Sequence, residues 1–230
     1  MHKVLIFDLD GTLAKIGKPI EQEDIERLKN LYKIGYQIAV CSGKPIYYLC
    51  GMFRQTGLEQ MIFIGENGAA IQHGVELPPK RFLFHQYSKK AKKQLNDIRI
   101  IIEERCEAIW FQPNDVGVTP FPSKPEDFST IERIIDENKD NLDEIEIYPQ
   151  IDCFDFTPKN ISKASGIALF AETNGFTAKD FIAIGDGIND IPMFEFADIS
   201  ISIGEKMKDK TDFCFEHISD ALDFIINKKL

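Results

Sequence analysis

Short apolar segments rich in β-branched residues alternate along this chain with longer amphipathic segments. The predicted strands are residues 4–7, 37–41, 61–64, 181–184 and 199–203, and the predicted helices are residues 21–32, 47–53, 165–173 and 219–227. This alternation is typical of βαβ units, in which a helix returns the chain to the same edge of a parallel sheet. The pattern therefore predicts an α/β fold built on a parallel sheet.

The middle of the chain has a different order of elements. Residues 88–106 and 126–138 are predicted helices, and residues 108–112, 116–121, 144–148 and 153–156 are predicted strands. The order α-β-β-α-β-β with short links favours an antiparallel or mixed open sheet with its own helices. We expect a second, α+β domain at residues 80–156, inserted into a first domain of residues 1–79 and 157–230. Trp110 and Phe111 are expected in the apolar core of the insert.

Charge and cysteine content restrict the partners and the compartment. A formal net charge of -10 disfavours nucleic acid and anionic membranes, which repel a net anion. Asp8 interrupts the apolar start, so no signal peptide is expected, and no segment approaches the roughly 18 apolar residues that a membrane span needs. Five cysteines without a CxxC spacing suit reduced thiols. We expect a cytoplasmic protein, and the sequence leaves its oligomeric state open.

Residues 7–13, with the sequence FDLDGTL, place two carboxylates where a buried strand runs into a glycine turn. Positions i and i+2 of a strand lie on one side, so Asp8 and the turn that carries Asp10 address the same small volume. Two like charges roughly 4 Å apart repel by about 4 kcal/mol at an effective dielectric constant of about 20. Such a pair needs a cation, a proton or a functional reason, and it is a candidate site.

Three other predicted strands also end in polar or glycine-rich segments. These segments are residues 41–44 (CSGK), 65–68 (GENG) and 185–190 (GDGIND). Each motif alone is compatible with a polar turn or a helix cap. Ligands of parallel α/β sheets bind beyond the carboxyl ends of the strands, where all four segments are predicted to meet. Asp8, Asp10 and Asp186, without a thiol or imidazole beside them, favour Mg²⁺ over zinc or copper.

These segments resemble, in order, the four motifs of the haloacid dehalogenase-like phosphohydrolase superfamily. The motifs are residues 8–13 (DLDGTL), Ser42, Lys163 and residues 185–190 (GDGIND). The match runs over nearly the whole chain, and the insert is similar to the minimal type IIB cap of the Cof-like branch. The resemblance implies a Rossmann-like core with a cap and Mg²⁺-dependent hydrolysis of a small phosphate ester, such as a sugar phosphate or phosphoglycolate.

The resemblance also implies a role for each site residue. Asp8 is the expected nucleophile, which forms an aspartyl-phosphate, and Asp10 is the expected general acid and base. Ser42, the amide of Gly43, and Lys163 are expected to hold the phosphoryl oxygens. The expected Mg²⁺ ligands are Asp8, the backbone carbonyl of Asp10, and Asp186. Supporting roles fall to Gly11, Thr12 and Asp190, and Asn189 is expected to bind phosphate or to complete the metal shell.

Some residues depart from the pattern of the superfamily and leave alternatives open. Lys44 stands where many relatives have arginine, and the loop at residues 203–207 lacks the usual Asn-Ala, so the contributions of both are open. Lys159 competes with Lys163 for the lysine role. A phosphomutase needs the same acids, and a phospho-accepting regulatory module also combines acids, a hydroxyl and a lysine. An aspartate at position 10 favours rapid hydrolysis over both storage of the phosphoryl group and a dehalogenase activity.

Overall fold

An eight-stranded sheet is the centre of the first of two units in the computed structural model, which describes residues 4–228 and Leu230. The strands in chain order are β1 (Val4–Phe7), β2 (Gln37–Cys41), β3 (Ile62–Gly65), β4 (Ala70–His73), β5 (Arg81–Phe84), β6 (Ile109–Gln112), β7 (Thr119–Pro122), β8 (Ile145–Pro149), β9 (Phe154–Pro158), β10 (Phe181–Gly185), β11 (Ile199–Ile203) and β12 (Phe213–Phe215). The sheet has the order β12-β11-β10-β1-β2-β3-β4-β5. Its first six strands are parallel, and β4 and β5 continue it in antiparallel pairing.

Five helices of the first unit cover both faces of this sheet, and α3 and α4 belong to the second unit. The α-helices are α1 (Gln22–Lys33), α2 (Ile46–Arg54), α3 (Lys89–Arg105), α4 (Pro125–Asn138), α5 (Lys163–Asn174), α6 (Ile191–Phe196) and α7 (Ile218–Lys228). Side chains from α1, α2 and α7 share an apolar cluster with Leu5 and Phe7, whereas those of α5 and α6 pack with Val4 and Ile6. Alternate residues of β1 thus enter opposite cores, as expected for a strand buried on both faces. The predicted α/β class is confirmed.

The register of the central strands brings four strand ends to one edge. Phe7 at the end of β1 is level with Ile184 in β10 and Val40 in β2, and Cys41 is level with Ile64 in β3. Because these four strands are parallel, the loops that follow them begin side by side. The sheet therefore supplies the common edge on which the candidate site is built.

Three strands and one helix were absent from the sequence-based prediction. They are β4, β5 and β12, of four, four and three residues, and α6, of six residues. Segments this short give little periodicity, and strand pairing with a neighbour decides whether they are extended. The predicted strand at residues 61–64 is observed one residue further along the chain, as β3.

The second unit is His85–Ile161, and it follows the predicted order of helices and strands. The sequence predicted one open sheet, but two separate antiparallel pairs form, β6 with β7 and β8 with β9, linked by a single bridge between Val118 and Phe156. Helices α3 and α4 pack on these strands through a third apolar cluster.

The expectation that Trp110 lies in the core of the insert is wrong. Its neighbours in β6, Ile109 and Phe111, pack against the apolar cluster under the helices, so Trp110 points to the other side of the strand. Its side chain is 56% exposed and contacts the ring of Phe121, with 5.3 Å between centroids.

The boundaries between the units lie a few residues beyond those predicted at 79/80 and 156/157. Strand β5 pairs with β4 and so extends the first unit to Phe84, and β9 pairs along its length with β8 in the second unit.

Among the described residues, no helix is both long enough and apolar enough to cross a bilayer.

Candidate active site

Asp8 and Asp10 lie in the loop that leaves β1, and this loop turns back on itself at once. Hydrogen bonds from Gly11 N to Ala14 O, at 2.7 Å, and from Ala14 N to Leu9 O, at 2.9 Å, close the turn. Asp8 is buried, whereas the Asp10 side chain is 28% exposed. The two carboxylates thus occupy different environments, although the sequence places them two residues apart.

Lys163 forms a buried ionic cluster with two aspartates. Its Nζ lies 2.5 Å from Asp8 Oδ1 and 2.6 Å from Asp190 Oδ1, and the three side chains are at most 8% exposed. Lys163 opens α5, where Ser162 and Ser165 form a reciprocal capping box that fixes the first turn. The competing candidate, Lys159, is exposed in the second unit. Lys163 is therefore the lysine that contacts the candidate nucleophile.

Asp190 also organises the loop that follows β10. Its second oxygen, Oδ2, accepts hydrogen bonds from the backbone amides of Asp186 and Gly187, both at 2.9 Å. Gly185 leaves the necessary room, since a Cβ atom at this position would lie 2.6 Å from the carboxyl carbon of Asp190. Both oxygens of Asp190 accept hydrogen bonds, so this carboxylate links Lys163 to the loop that carries Asp186.

Thr12 and Gly11 hold the Asp186 side chain from the β1 loop. The Thr12 hydroxyl donates to Asp186 Oδ1 at 3.0 Å. Gly11 has a φ of +93°, and a Cβ atom there would lie 2.7 Å from the carboxyl carbon of Asp186. A side chain at position 11 would be strained and would also displace this carboxylate. The two residues predicted as supporting thus adjoin the Asp186 carboxylate.

Three carboxylates of the site lie close enough together to hold a metal ion. Oxygens of Asp8, Asp186 and Asp190 lie within 4.8 Å of one another. The Asp10 carboxylate is not in this group, so a contribution of Asp10 is left to the backbone carbonyl proposed for it. Asp190 already binds Lys163 and two backbone amides, which leaves Asp8 and Asp186 as the candidate side-chain ligands. A set made only of oxygen donors fits Mg²⁺.

Burial and like charge make the cluster favourable for a cation. Burial raises the pKa of Asp8 to about 7, against the lowering effect of the Lys163 ammonium. Burial also raises the pKa of Asp186, and the hydrogen bond from Thr12 opposes this shift. Burial alone would lower the pKa of Lys163, but Asp190 and Asp8 raise it well above its usual range. One ammonium among three carboxylates leaves excess negative charge that a divalent cation would neutralise.

The loop after β2 carries the hydroxyl and the glycine predicted to hold phosphate. Ser42 is buried, and its backbone amide donates to Ile64 O at 2.9 Å. The Ser42 hydroxyl oxygen accepts from Lys44 N at 3.2 Å, which orients it in the turn. The Lys44 side chain reaches across to Asp10, with 3.5 Å between Nζ and Oδ2. This contact was not foreseen from the sequence.

The loop after β3 supports the phosphate-binding candidates, and the sequence assigned it no role. Glu66 and Asn67 both have left-handed backbone conformations, with φ of 51° and 54°. Their amides donate hydrogen bonds to Lys44 O and Ser42 O, both at 3.0 Å. This strained turn therefore holds the loop after β2 in place. The glycines at positions 65 and 68 were the available signal, because they predicted a tight turn at this strand end.

Asn189, predicted to bind phosphate or to complete the metal shell, lies after β10 and directly before Asp190. Its side chain is exposed in the short turn after Gly187. No hydrogen bond within the described part of the chain joins it to Ser42 or Lys163. Asp190, the next residue, is completely buried in the ionic cluster, because the turn points successive side chains in different directions.

Similarity to known proteins identifies the family of this chain. The sequence profile of the haloacid dehalogenase-like hydrolase family matches residues 5–151 and 86–219, which together span most of the chain. The chain belongs to this family. The match confirms the resemblance to this family that the sequence motifs indicated.

Individual relatives agree with this assignment at low sequence identity. A phosphoglycolate phosphatase of Methanoculleus marisnigri is 25% identical over 211 residues, which cover 88% of this chain and 84% of the relative. A haloacid dehalogenase-like hydrolase from Bacteroides thetaiotaomicron has a TM-score of 0.79 at 18% identity and covers 98% of this chain and 100% of its own. A subclass IIB sugar phosphatase of the superfamily has a TM-score of 0.72 at 19% identity, with 99% of each chain covered. The family and its phosphatase relatives support the predicted class of enzyme, a phosphoric monoester hydrolase.

Proposed function

We propose that this hydrolase cleaves the phosphate ester of a small metabolite through an aspartyl-phosphate on Asp8, with Mg²⁺ as its cofactor. The observation that carries the proposal is the buried contact of Lys163 with both Asp8 and Asp190, next to Asp186. A carboxylate held by an ammonium and a cation site can meet a phosphate dianion without net repulsion. The names of the relatives make a sugar phosphate or phosphoglycolate the first substrates to test.

Two displacements complete the reaction. An oxygen of Asp8 bonds to phosphorus while the bond to the leaving oxygen breaks, and Asp10 donates a proton to that oxygen. Asp10, now a carboxylate, takes a proton from water, whose oxygen bonds to phosphorus as the bond to Asp8 breaks. Inorganic phosphate leaves, and both aspartates return to their starting protonation states.

The neighbouring groups bind and orient the phosphoryl group in this proposal. The Ser42 hydroxyl, the Gly43 amide and the Lys163 ammonium hold its oxygens, and Asp190 keeps Lys163 and the Asp186 loop in place. Mg²⁺ on Asp8, Asp186 and the backbone carbonyl of Asp10 would supply positive charge to the carboxylates and to the phosphoryl oxygens. The second unit, residues 85–161, is proposed to be the cap that determines the substrate.

Phosphate release from a panel of sugar phosphates, phosphoglycolate and nucleotides tests the proposal. We expect multiple turnovers that need Mg²⁺ and stop with EDTA, and no turnover by Asp8→Asn, whose fold should be unchanged in circular dichroism. Asp97→Asn makes the same chemical change on the exposed side of α3 and should leave activity intact. Full activity of Asp8→Asn would exclude the aspartyl-phosphate. An isomeric ester in place of free phosphate would identify a phosphomutase, and a preference for nucleotides would contradict the substrate class.

A further inference from the structure

Asp10, the proposed acid and base, has a cationic partner of its own. The ammonium of Lys44 lies 3.5 Å from Asp10 Oδ2, and the two side chains are 31% and 28% exposed. Lys163, the buried lysine of the site, forms ion pairs with Asp8 and Asp190. In the part of the chain that the structure describes, no other lysine or arginine forms an ion pair with Asp10. The two lysines therefore serve different carboxylates.

The backbone of Lys44 is fixed from two sides, although its side chain is partly exposed. Its amide donates to Ser42 Oγ at 3.2 Å, and its carbonyl accepts from Glu66 N at 3.0 Å. Gly65 packs against the same carbonyl so closely that a Cβ atom there would lie 2.9 Å from Lys44 O. The stem of the side chain thus starts from a fixed point, which limits the positions that the ammonium can reach.

The length of the contact suits a group that must transfer protons. At 3.5 Å the ion pair restrains the Asp10 carboxylate without the tight hydrogen bonds that lock Asp190 in place at 2.6 to 2.9 Å. A restrained but accessible carboxylate can reach a leaving oxygen and then a water molecule. Asp190, which accepts hydrogen bonds through both of its oxygens, lacks this freedom.

We propose that Lys44 is a positioning residue that holds Asp10 in place for proton transfer to the leaving oxygen and from water. The inference rests on the proposed function and deepens it. The Asp10 carboxyl gives its proton to the leaving oxygen as the ester bond breaks, and regains one from the attacking water. The Lys44 ammonium is a hydrogen-bond donor, so it can hold Asp10 Oδ2 as a carboxyl oxygen before the first transfer and as a carboxylate oxygen after it.

The dependence on the leaving group tests this role. An alkyl phosphate needs a proton on its leaving oxygen, whereas p-nitrophenyl phosphate releases a stable anion and needs little help from an acid. We expect Lys44→Met to lower kcat/KM for an alkyl phosphate about tenfold more than for p-nitrophenyl phosphate, a fraction of the usual contribution of a general acid. Lys44→Arg should restore most of the difference, because it returns a cation to the same loop.

Two further variants separate this role from others. Lys206→Met removes a lysine whose charge acts on Asp186, so it should affect both esters equally. In an Asp10→Asn background, Lys44→Met should cause no further selective loss, since the carboxylate that it positions is gone. Equal losses on both esters with Lys44→Met would overturn the inference and indicate that Lys44 binds the phosphoryl group or only maintains the fold. If the unsubstituted enzyme hydrolyses neither ester, the proposed function itself fails.

Discussion

Replacement of Lys163 by methionine should strongly destabilise the enzyme, because it leaves two buried carboxylates without their cation. Lys163, Asp8 and Asp190 have side-chain exposures of 2%, 8% and 0%, so water cannot replace the lost ammonium. Removing one partner of a buried ion pair costs about 3–5 kcal/mol. Methionine has a similar length and no branch, so the loss reports charge rather than volume. The expected loss is a large share of a typical stability of about 5–15 kcal/mol.

Urea unfolding at neutral pH in the presence of EDTA measures this loss of unfolding free energy. Lys159→Met, which makes the same change at an exposed lysine, should stay within about 0.5 kcal/mol of the unsubstituted enzyme. Adding Asp190→Asn to Lys163→Met should recover at least about 1 kcal/mol relative to additive losses, since one of the unpaired charges disappears. Mg²⁺ should also stabilise Lys163→Met. A loss under about 1 kcal/mol, or strictly additive losses, would refute the assignment of a buried ionic cluster.

Gly11→Ala should weaken Mg²⁺ binding measured by calorimetry, because φ is +93° and the new methyl group would meet the Asp186 carboxylate; unchanged affinity would contradict that contact. Without metal, the unfolding free energy should fall as pH rises from about 4 through 7. Folding raises the pKa of Asp8 from 3.8 to about 7, so the native state binds the extra proton over that interval, and a flat profile in urea titrations would oppose this. At Asn67, where φ is 54°, thermal unfolding should show Asn67→Ala less stable than Asn67→Gly by about 1 kcal/mol, and equal stabilities of the two variants would argue against backbone strain.

The regular elements of the core could be predicted because local periodicity and burial agree there. Strands β1, β2 and β11 have their predicted bounds, since each is a continuous run of residues that a parallel sheet buries on both faces. The short strands β4, β5 and β12 were missed, because pairing with neighbours determines them more than their own sequence does. Trp110 was misplaced for a related reason. Composition identifies a core residue, but only the orientation of the strand decides which side chain enters the core.

The sequence could name candidate residues for the site, but not all of their partners. Asp8 and Ser42 follow predicted strands and Lys163 precedes a predicted helix, and the motifs select all three as candidates. Asp190 was assigned only a supporting role, yet it is the buried link between Lys163 and the Asp186 loop. Such a link joins residues far apart in the chain, and spacing carries no information about it.

Taken by itself, the sequence determined the α/β class and the family, and it gave candidate acidic and hydroxyl residues at the strand ends and a candidate lysine at the start of a helix. These follow from local patterns, since periodicity sets the elements and parallel pairing sets a common edge. Only the tertiary structure determined which aspartate pairs with which lysine and which aspartate is buried. It buried Asp8 with Lys163 and left Asp10 accessible beside Lys44, although the two aspartates are two residues apart. That division depends on burial and on distances across the sheet, which determine the electrostatic energy of each group.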